Sequence, residues 1–142
     1  MSWIYNDRPV TENDIEDQYG FVYEITNLLN GKRYIGKKLL WFSKTKTVKG
    51  KKKRYKVESD WKTYWGSNKQ LLLDIAQYGE ENFIRTVLYW CKNKGEANYM
   101  EAKIQFEKGV LLDENFYNDL IRVRVSGSHV RNVKKNSTEI GP

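Results

Sequence analysis

The chain has 142 residues, 25 Lys and Arg against 18 Asp and Glu, and an apolar fraction of 39% that includes five Trp, ten Tyr and five Phe. A single cysteine, Cys91, and a single histidine, His129, exclude internal disulfides and a Cys/His zinc site, and leave any Ser-His-Asp triad dependent on a histidine in a polar tail. With no run long enough to span a bilayer and no apolar leader, we expect one cytoplasmic domain without membrane association, whose basic excess favours a polyanionic partner.

Residues 1–19 carry Trp3, Ile4 and Tyr5 and then an acidic, turn-rich stretch (Asp7, Glu12, Asp14, Glu16 and Asp17 against Arg8), expected as an N-terminal extension packing a few aromatics on the domain edge. Gly20 to Lys38 reads as two β-strands. Val22, Tyr23 and Ile25 serve the first, Tyr34 and Ile35 the second, and Asn30-Gly31 supplies the positive φ of the reversal. Tyr23 and Tyr34 then lie on neighbouring strands with converging phenols. Gly36-Lys37-Lys38 sets two cations beside them and permits close backbone approach, which suits an anionic substrate.

From Lys32 to Lys69 fourteen basic residues face only Glu58 and Asp60. Within 43–56 the cations Lys44, Lys46, Lys49, Lys51, Lys52, Lys53, Arg54 and Lys56 crowd together, and their repulsion predicts a loop that is mobile when free. A nucleic-acid backbone would neutralise it with steep salt dependence. Trp61, Tyr64 and Trp65 suit a short helix or an aromatic patch in the core. Ser67, with Gln70 three residues on, predicts the start of a helix whose apolar face is Leu71, Leu72, Ile75 and Tyr78 and whose stop is Gly79. The Gly66-Ser67 entry exposes helix N-terminal amides that suit phosphate, with Lys69 beside them.

Phe83 to Cys91 predicts a central strand buried on both faces, with Ile84, Thr86, Leu88 and Trp90 on one side and Arg85, Val87, Tyr89 and Cys91 on the other. Glu96 to about Lys108 predicts a second helix with Ala97, Met100 and Ile104 inward and room for Ala102 and Phe106 beside them. Phe116-Tyr117-Asn118 ends the core, Ile121 to Val125 suits a last short strand, and 121–142 forms a basic arm, loose from Ser126. There are no internal repeats.

Phe21-Val22-Tyr23 followed by Tyr34-Ile35-Gly36 resembles the signature of the GIY-YIG nuclease family, with Val22 in place of the usual Ile and Gly20 one place before the usual Gly position. Tyr64, Gly66, Ser67 and Lys69 match a Tyr-x-Gly-Ser-x-Lys pattern of its phage-type members. The resemblance spans 20–118 and covers the order hairpin, helix, strand, helix. It implies a mixed α+β fold of the α/β class, a small three-stranded antiparallel sheet flanked by helices, with the nuclease domain at 20–120 and a basic insertion at 43–56.

The resemblance further implies a phosphodiester hydrolase similar to the free-standing homing endonucleases of phages, acting on DNA that is double-stranded, with one Mg²⁺ or Mn²⁺ and a possible homodimer. Met100-Glu101 falls at the family's hydrophobic-Glu pair, so Glu101 would hold the metal, and Asn118 matches an Asn that orients ligand or phosphate. Tyr23 or Tyr34 would act as general base, Tyr23 first, with Lys37 and Lys38 favouring the phenolate. The family's catalytic Arg has no counterpart on the first helix. Arg54 is the best placed substitute, with Arg33 or Lys37 and Lys38 as alternatives, although Lys lacks the bidentate fork. Lys38, Lys44, Lys46, Lys51, Lys52, Lys53, Lys56, Ser67 and Lys69 are the expected nucleic-acid contacts. The missing Arg motivates a second reading, a decayed module that still binds nucleic acid, and the charge alone a third, a basic scaffold for acidic proteins.

Overall fold

In the computed structural model, which describes residues 1–131 and 133, the organising hairpin is formed by β3 (Gly20–Asn27) and β4 (Arg33–Leu39). Seven strands and two main helices are present among the described residues: β1 (Ile4–Tyr5), β2 (Arg8–Pro9), β5 (Trp41–Val48), β6 (Lys51–Glu58) and β7 (Phe83–Cys91), with α2 (Lys69–Tyr78) and α3 (Lys94–Glu107). One-turn helices α1 (Glu12–Ile15) and α4 (Gly127–Val130) complete the set. The fold is mixed α+β, as expected, but the sheet is five-stranded in the order β2-β1-β7-β3-β4, with one parallel pairing between β1 and β7, and not three-stranded. The first residues account for the difference. Trp3 is 2% exposed in the core, Ile4 pairs with Thr86, and β2 folds back on β1, so this segment extends the sheet.

Alternation along β3 divides the interior into two layers. Phe21, Tyr23 and Ile25 face Leu71 and Ile75 of α2 together with Trp3 and Trp61, while Val22 joins Ile35 against Ala97, Met100 and Ile104 of α3. The register between β3 and β7 slips between Val22, opposite Tyr89, and Tyr23, opposite Val87, which leaves Leu88 as a bulge. The bulge breaks the alternation expected along β7: Leu88 packs on the α3 side and Trp90 on the α2 side. Burial on both faces is also incomplete, since Ile84 is 40% exposed.

The turn between β3 and β4 takes its positive φ at Gly31 alone, and Asn27 and Asn30 close it by accepting from the amides of Leu29 and Lys32. Helix α2 starts one residue later than predicted, because Asn68 and not Ser67 is the cap, its Oδ1 accepting from the Leu71 amide. Leu72 and Tyr78 of the predicted apolar face are exposed, as is Phe106 on α3, and Ile121 to Val125 forms no strand. Within the expected basic arm, 121–142, positions 132 and 134–142 lie outside the described residues.

The largest departure from the sequence reading is at the Lys-rich segment. Residues 41–58 form a separate two-stranded ribbon of eight-residue strands β5 and β6, not a loop. Its turn, Lys49-Gly50, has positive φ at both residues, the geometry whose twist matches that of the flanking strands. Phe42, Thr45, Thr47 and Val48 on β5 and Tyr55 and Val57 on β6 are interspersed with the cations, so strand propensity prevails over like-charge repulsion. The base is pinned by Ser59, whose amide donates to Leu40 O at 2.8 Å and whose hydroxyl donates to Leu39 O at 2.5 Å.

Candidate active site

Tyr23 pairs with Gly36 and Ile25 with Tyr34, so the two tyrosines are diagonal neighbours on one face, ring centroids 6.2 Å apart. Gly36 is required between them. A Cβ there would lie 2.6 Å from the Tyr23 hydroxyl and 3.0 Å from the Tyr34 ring, so the glycine serves the packing of the tyrosines and not only an approach of backbone to substrate. Gly66, at φ 90°, borders the same hydroxyl from the α2 side.

These phenols open onto a cleft of about 570 Å³ along the outer strand β4. One wall is Ser67, Asn68 and Lys69 at the start of α2, with Tyr34 and Ser67 hydroxyls 3.4 Å apart. The other is Lys37 with Glu101 and Gln105 of α3, and the rim is Asn118, Asp119, Leu120 and Arg122. Tyr23, Tyr34, Lys37, Glu101, Asn118, Ser67 and Lys69 are thus brought together from five separate stretches of chain.

Burial sets the electrostatics. The Tyr23 phenol, 1% exposed, is held well above the usual phenol range by desolvation, and the nearby Tyr64 and Tyr34 phenols add to the shift. Tyr34, partly exposed, is raised by the same cause, which its bond to Ser67 partly offsets. Glu101 is raised by desolvation and held down by Lys37, whose Nζ lies 3.7 Å from its carboxylate and also bonds Asn98 Oδ1. No group of three or more His, Cys, Asp or Glu side chains able to hold a metal occurs among the described residues. Glu101 on the cleft wall, with Asp119 on the rim, nevertheless suits Mg²⁺, which takes one or two carboxylates and completes its shell with water and substrate phosphate.

Asn118 lines the cleft and is also hydrogen-bonded to the backbone of β4. Its Oδ1 accepts from the Ile35 amide at 3.0 Å and its Nδ2 donates to Ile35 O at 2.8 Å, so both ends of its amide are spent on the edge of β4. Residues 115–117 run along that same edge, Arg33 N donating to Asn115 O and Tyr117 N to Arg33 O. Asn118 extends this ladder with its side chain.

Arg54 lies on β6 opposite Thr45 and does not line the cleft. Lys44, Lys46, Lys51, Lys52, Lys53 and Lys56 share the ribbon with it. Arg33 is engaged with Glu24 at 3.5 Å and stacked on Phe116. Lys38 is ion-paired with Asp60 at 2.5 Å and sits over the Tyr64 ring. Five cleft residues escaped the sequence reading: Asn68, Gln105, Asp119, Leu120 and Arg122. Gln105 is 4% exposed. Its Nε2 donates to Ile35 O at 2.9 Å, but its buried Oε1 finds no partner among the described residues. Its place four residues after Glu101 was a usable signal, because such positions share a helix face. Arg122, in irregular chain, had none.

A strand hairpin carrying paired tyrosines, a capped helix start and a helix-borne glutamate around one cleft define a GIY-YIG nuclease domain. Residues 3–121 match the family model described as "Putative endonuclease segE, GIY-YIG domain", and the chain belongs to the GIY-YIG family. It is similar to the "Putative endonuclease segE" of Enterobacteria phage T4, 36% identical over 100 residues that make up 70% of this chain and 40% of that relative. The chain therefore spans less than half the length of the relative it matches. No solved structure matches it. Among the described residues no helix is long and apolar enough to cross a membrane.

Proposed function

We propose that this chain is a divalent-metal-dependent endonuclease that hydrolyses phosphodiester bonds of duplex DNA in the cleft along β4. The observation that carries the reading is the joint lining of one cleft by Tyr23, Tyr34 and Glu101 with three cations, Lys37, Lys69 and Arg122. Family membership supports it.

Glu101 would hold the ion, with phosphate oxygens and water filling the remaining positions. A bound Mg²⁺ or Mn²⁺ supplies charge neutralisation at the pentavalent phosphate and the leaving oxygen. The chain's own residues do the rest. Amides at the start of α2, next to Ser67, receive a phosphate oxygen, and Lys69 adds a point charge. Arg122 takes the place that the sequence reading offered to Arg54, because it is the guanidinium on the cleft rim and can bond a phosphate bidentately.

Tyr34 is the better proton acceptor of the two phenols, which reverses the preference drawn from the signature. A base must touch the water it activates, and Tyr34 is partly exposed while Tyr23 is only 1% exposed. Tyr23 then buttresses Tyr34. Because burial raises both phenols, the phenolate forms only when cations and substrate are in place.

Plasmid DNA incubated with the purified chain, with Mg²⁺ and then with EDTA, tests the reading. Cleavage is expected with Mg²⁺ only. Glu101→Gln should abolish it while leaving binding within about threefold. Cutting by the Gln variant at the parent's rate would remove Glu101 from the metal site, and no cutting by the parent would leave the module that binds without hydrolysis.

A further inference from the structure

The two faces of the β5–β6 ribbon are built differently. On one face the cross-strand partners are Trp41 with Glu58 at the base and then Ser43 with Lys56, Thr45 with Arg54 and Thr47 with Lys52, so each of the three outer rungs sets a hydroxyl against a cation. On the other face Phe42 opposes Val57, Lys44 opposes Tyr55, and Lys46 directly opposes Lys53. There Lys46 lies 5.3 Å from the centroid of the Tyr55 ring, and Lys38 lies 5.3 Å from that of Phe42 at the base. All six residues of these three hydroxyl–cation rungs are exposed.

We propose that the hydroxyl–cation face of this ribbon is a sequence-reading surface that enters the major groove of B-form DNA beside the cleft. The proposal rests on the reading of duplex DNA as substrate. The groove is about 12 Å wide and admits a two-stranded ribbon. Residues of one strand face recur every ~6.8 Å, which is two base-pair steps, so three rungs at successive steps span about five base pairs. Serine and threonine hydroxyls donate or accept and fit either base edge, while arginine is the usual bidentate partner of guanine. Simple attraction to the backbone would favour the opposite face, which carries Lys44, Lys46, Lys51 and Lys53 against three cations here. The hydroxyl face spends positions on groups that add nothing to charge but can read bases. An unliganded ribbon of this kind is only marginally stable alone, and an inserted anionic groove relieves the Lys46–Lys53 repulsion on its back.

Selection of bound duplexes from a random library in EDTA, where nothing is cut, tests this with the full chain. The parent is expected to enrich a motif of about four to six base pairs. The triple variant Ser43→Ala, Thr45→Val, Thr47→Val keeps strand propensity and charge; it should bind bulk DNA within about threefold at the same salt slope and lose the motif at those positions. Arg54→Lys should lose roughly five- to hundredfold discrimination for guanine at one position. Replacing Lys44, Lys46 and Lys53 by Gln should weaken binding uniformly and leave the motif unchanged. No motif for the parent, an unchanged motif for the triple variant, or equal affinity for duplex RNA, whose deep and narrow major groove excludes a ribbon, would each overturn the proposal. Binding with a motif but no cleavage in Mg²⁺ would instead sink the nuclease reading alone, and cleavage without a motif would sink only this one.

Discussion

Tyr23 and Tyr34 carry the same hydroxyl in unequal surroundings, and the difference decides their expected roles. Both phenols are raised by burial, so each is protonated at neutral pH, and the fraction ionised grows as pH rises. Only Tyr34 is open enough to meet water. Tyr34→Phe should therefore lose about 10²–10⁴ in single-turnover rate and flatten the alkaline-rising limb of its pH profile. Tyr23→Phe removes a buttressing hydroxyl and should cost about tenfold with the limb retained. The opposite order would return the base role to Tyr23. Glu101 works on the acid side. Its carboxyl is raised by burial, so under the proposed metal role activity should fall as pH drops through that raised value.

At the scale of elements, the strand β4 is held in place from outside the sheet. Among the described residues its outer edge pairs with no strand beyond a single bridge from Arg33 to Phe116, and Asn118 supplies two hydrogen bonds to Ile35, between Tyr34 and Gly36. Asn118→Ala should leave a backbone amide and carbonyl at this buried edge short of partners, although Gln105 still bonds the carbonyl. The expected cost is about 2 kcal/mol of stability. Hydrogen exchange at the Ile35 amide should accelerate while β3 and β7 stay protected, and activity should fall through displacement of Tyr34. Uniform loss of protection would mean that Asn118 acts on the whole fold and not on this edge.

Across the whole molecule, one buried cation ties the N-terminal segment to the sheet. Arg85, 2% exposed on β7, donates to the carbonyls of Lys62 at 3.1 Å, Tyr64 at 2.8 Å and Met1, and lies between the rings of Trp3 and Trp65. Desolvation lowers its pKa to about 10, so it stays charged at neutral pH. No carboxylate pairs with it among the described residues, and carbonyl dipoles and indole faces stabilise the charge instead. Arg85→Met should strand those carbonyls and loosen residues 1–5 and 61–65 together, at a cost on the order of 3 kcal/mol by urea denaturation. Arg85→Lys should recover part of that, since an ammonium cannot fork to separate carbonyls. A Met variant as stable as the parent would show that the segments dock by apolar packing alone.

What the residues determined by themselves were the features encoded locally. Paired β-branched and aromatic runs around Gly31, a 3.6-residue apolar stripe with Met100 and Ile104, and the order of Tyr23, Tyr34, Glu101 and Asn118 were all legible, because strand, turn and helix preferences act over a few residues. The tertiary structure decided what depends on distant partners. Trp3 and Arg85 meet across 82 positions of chain to make the N-terminal segment part of the sheet, which no local pattern encodes. Cross-strand register turned a run of lysines into a ribbon with two unlike faces, since charge density along the chain does not report which residues stand opposite one another. Arg122 reached the cleft through irregular chain, where no periodicity exists to read. Asn118 matched a motif position, yet only its two contacts with Ile35 reveal that its amide is occupied by the fold. Contacts formed at long separation are selected by global packing, and that is why they were not visible in the sequence.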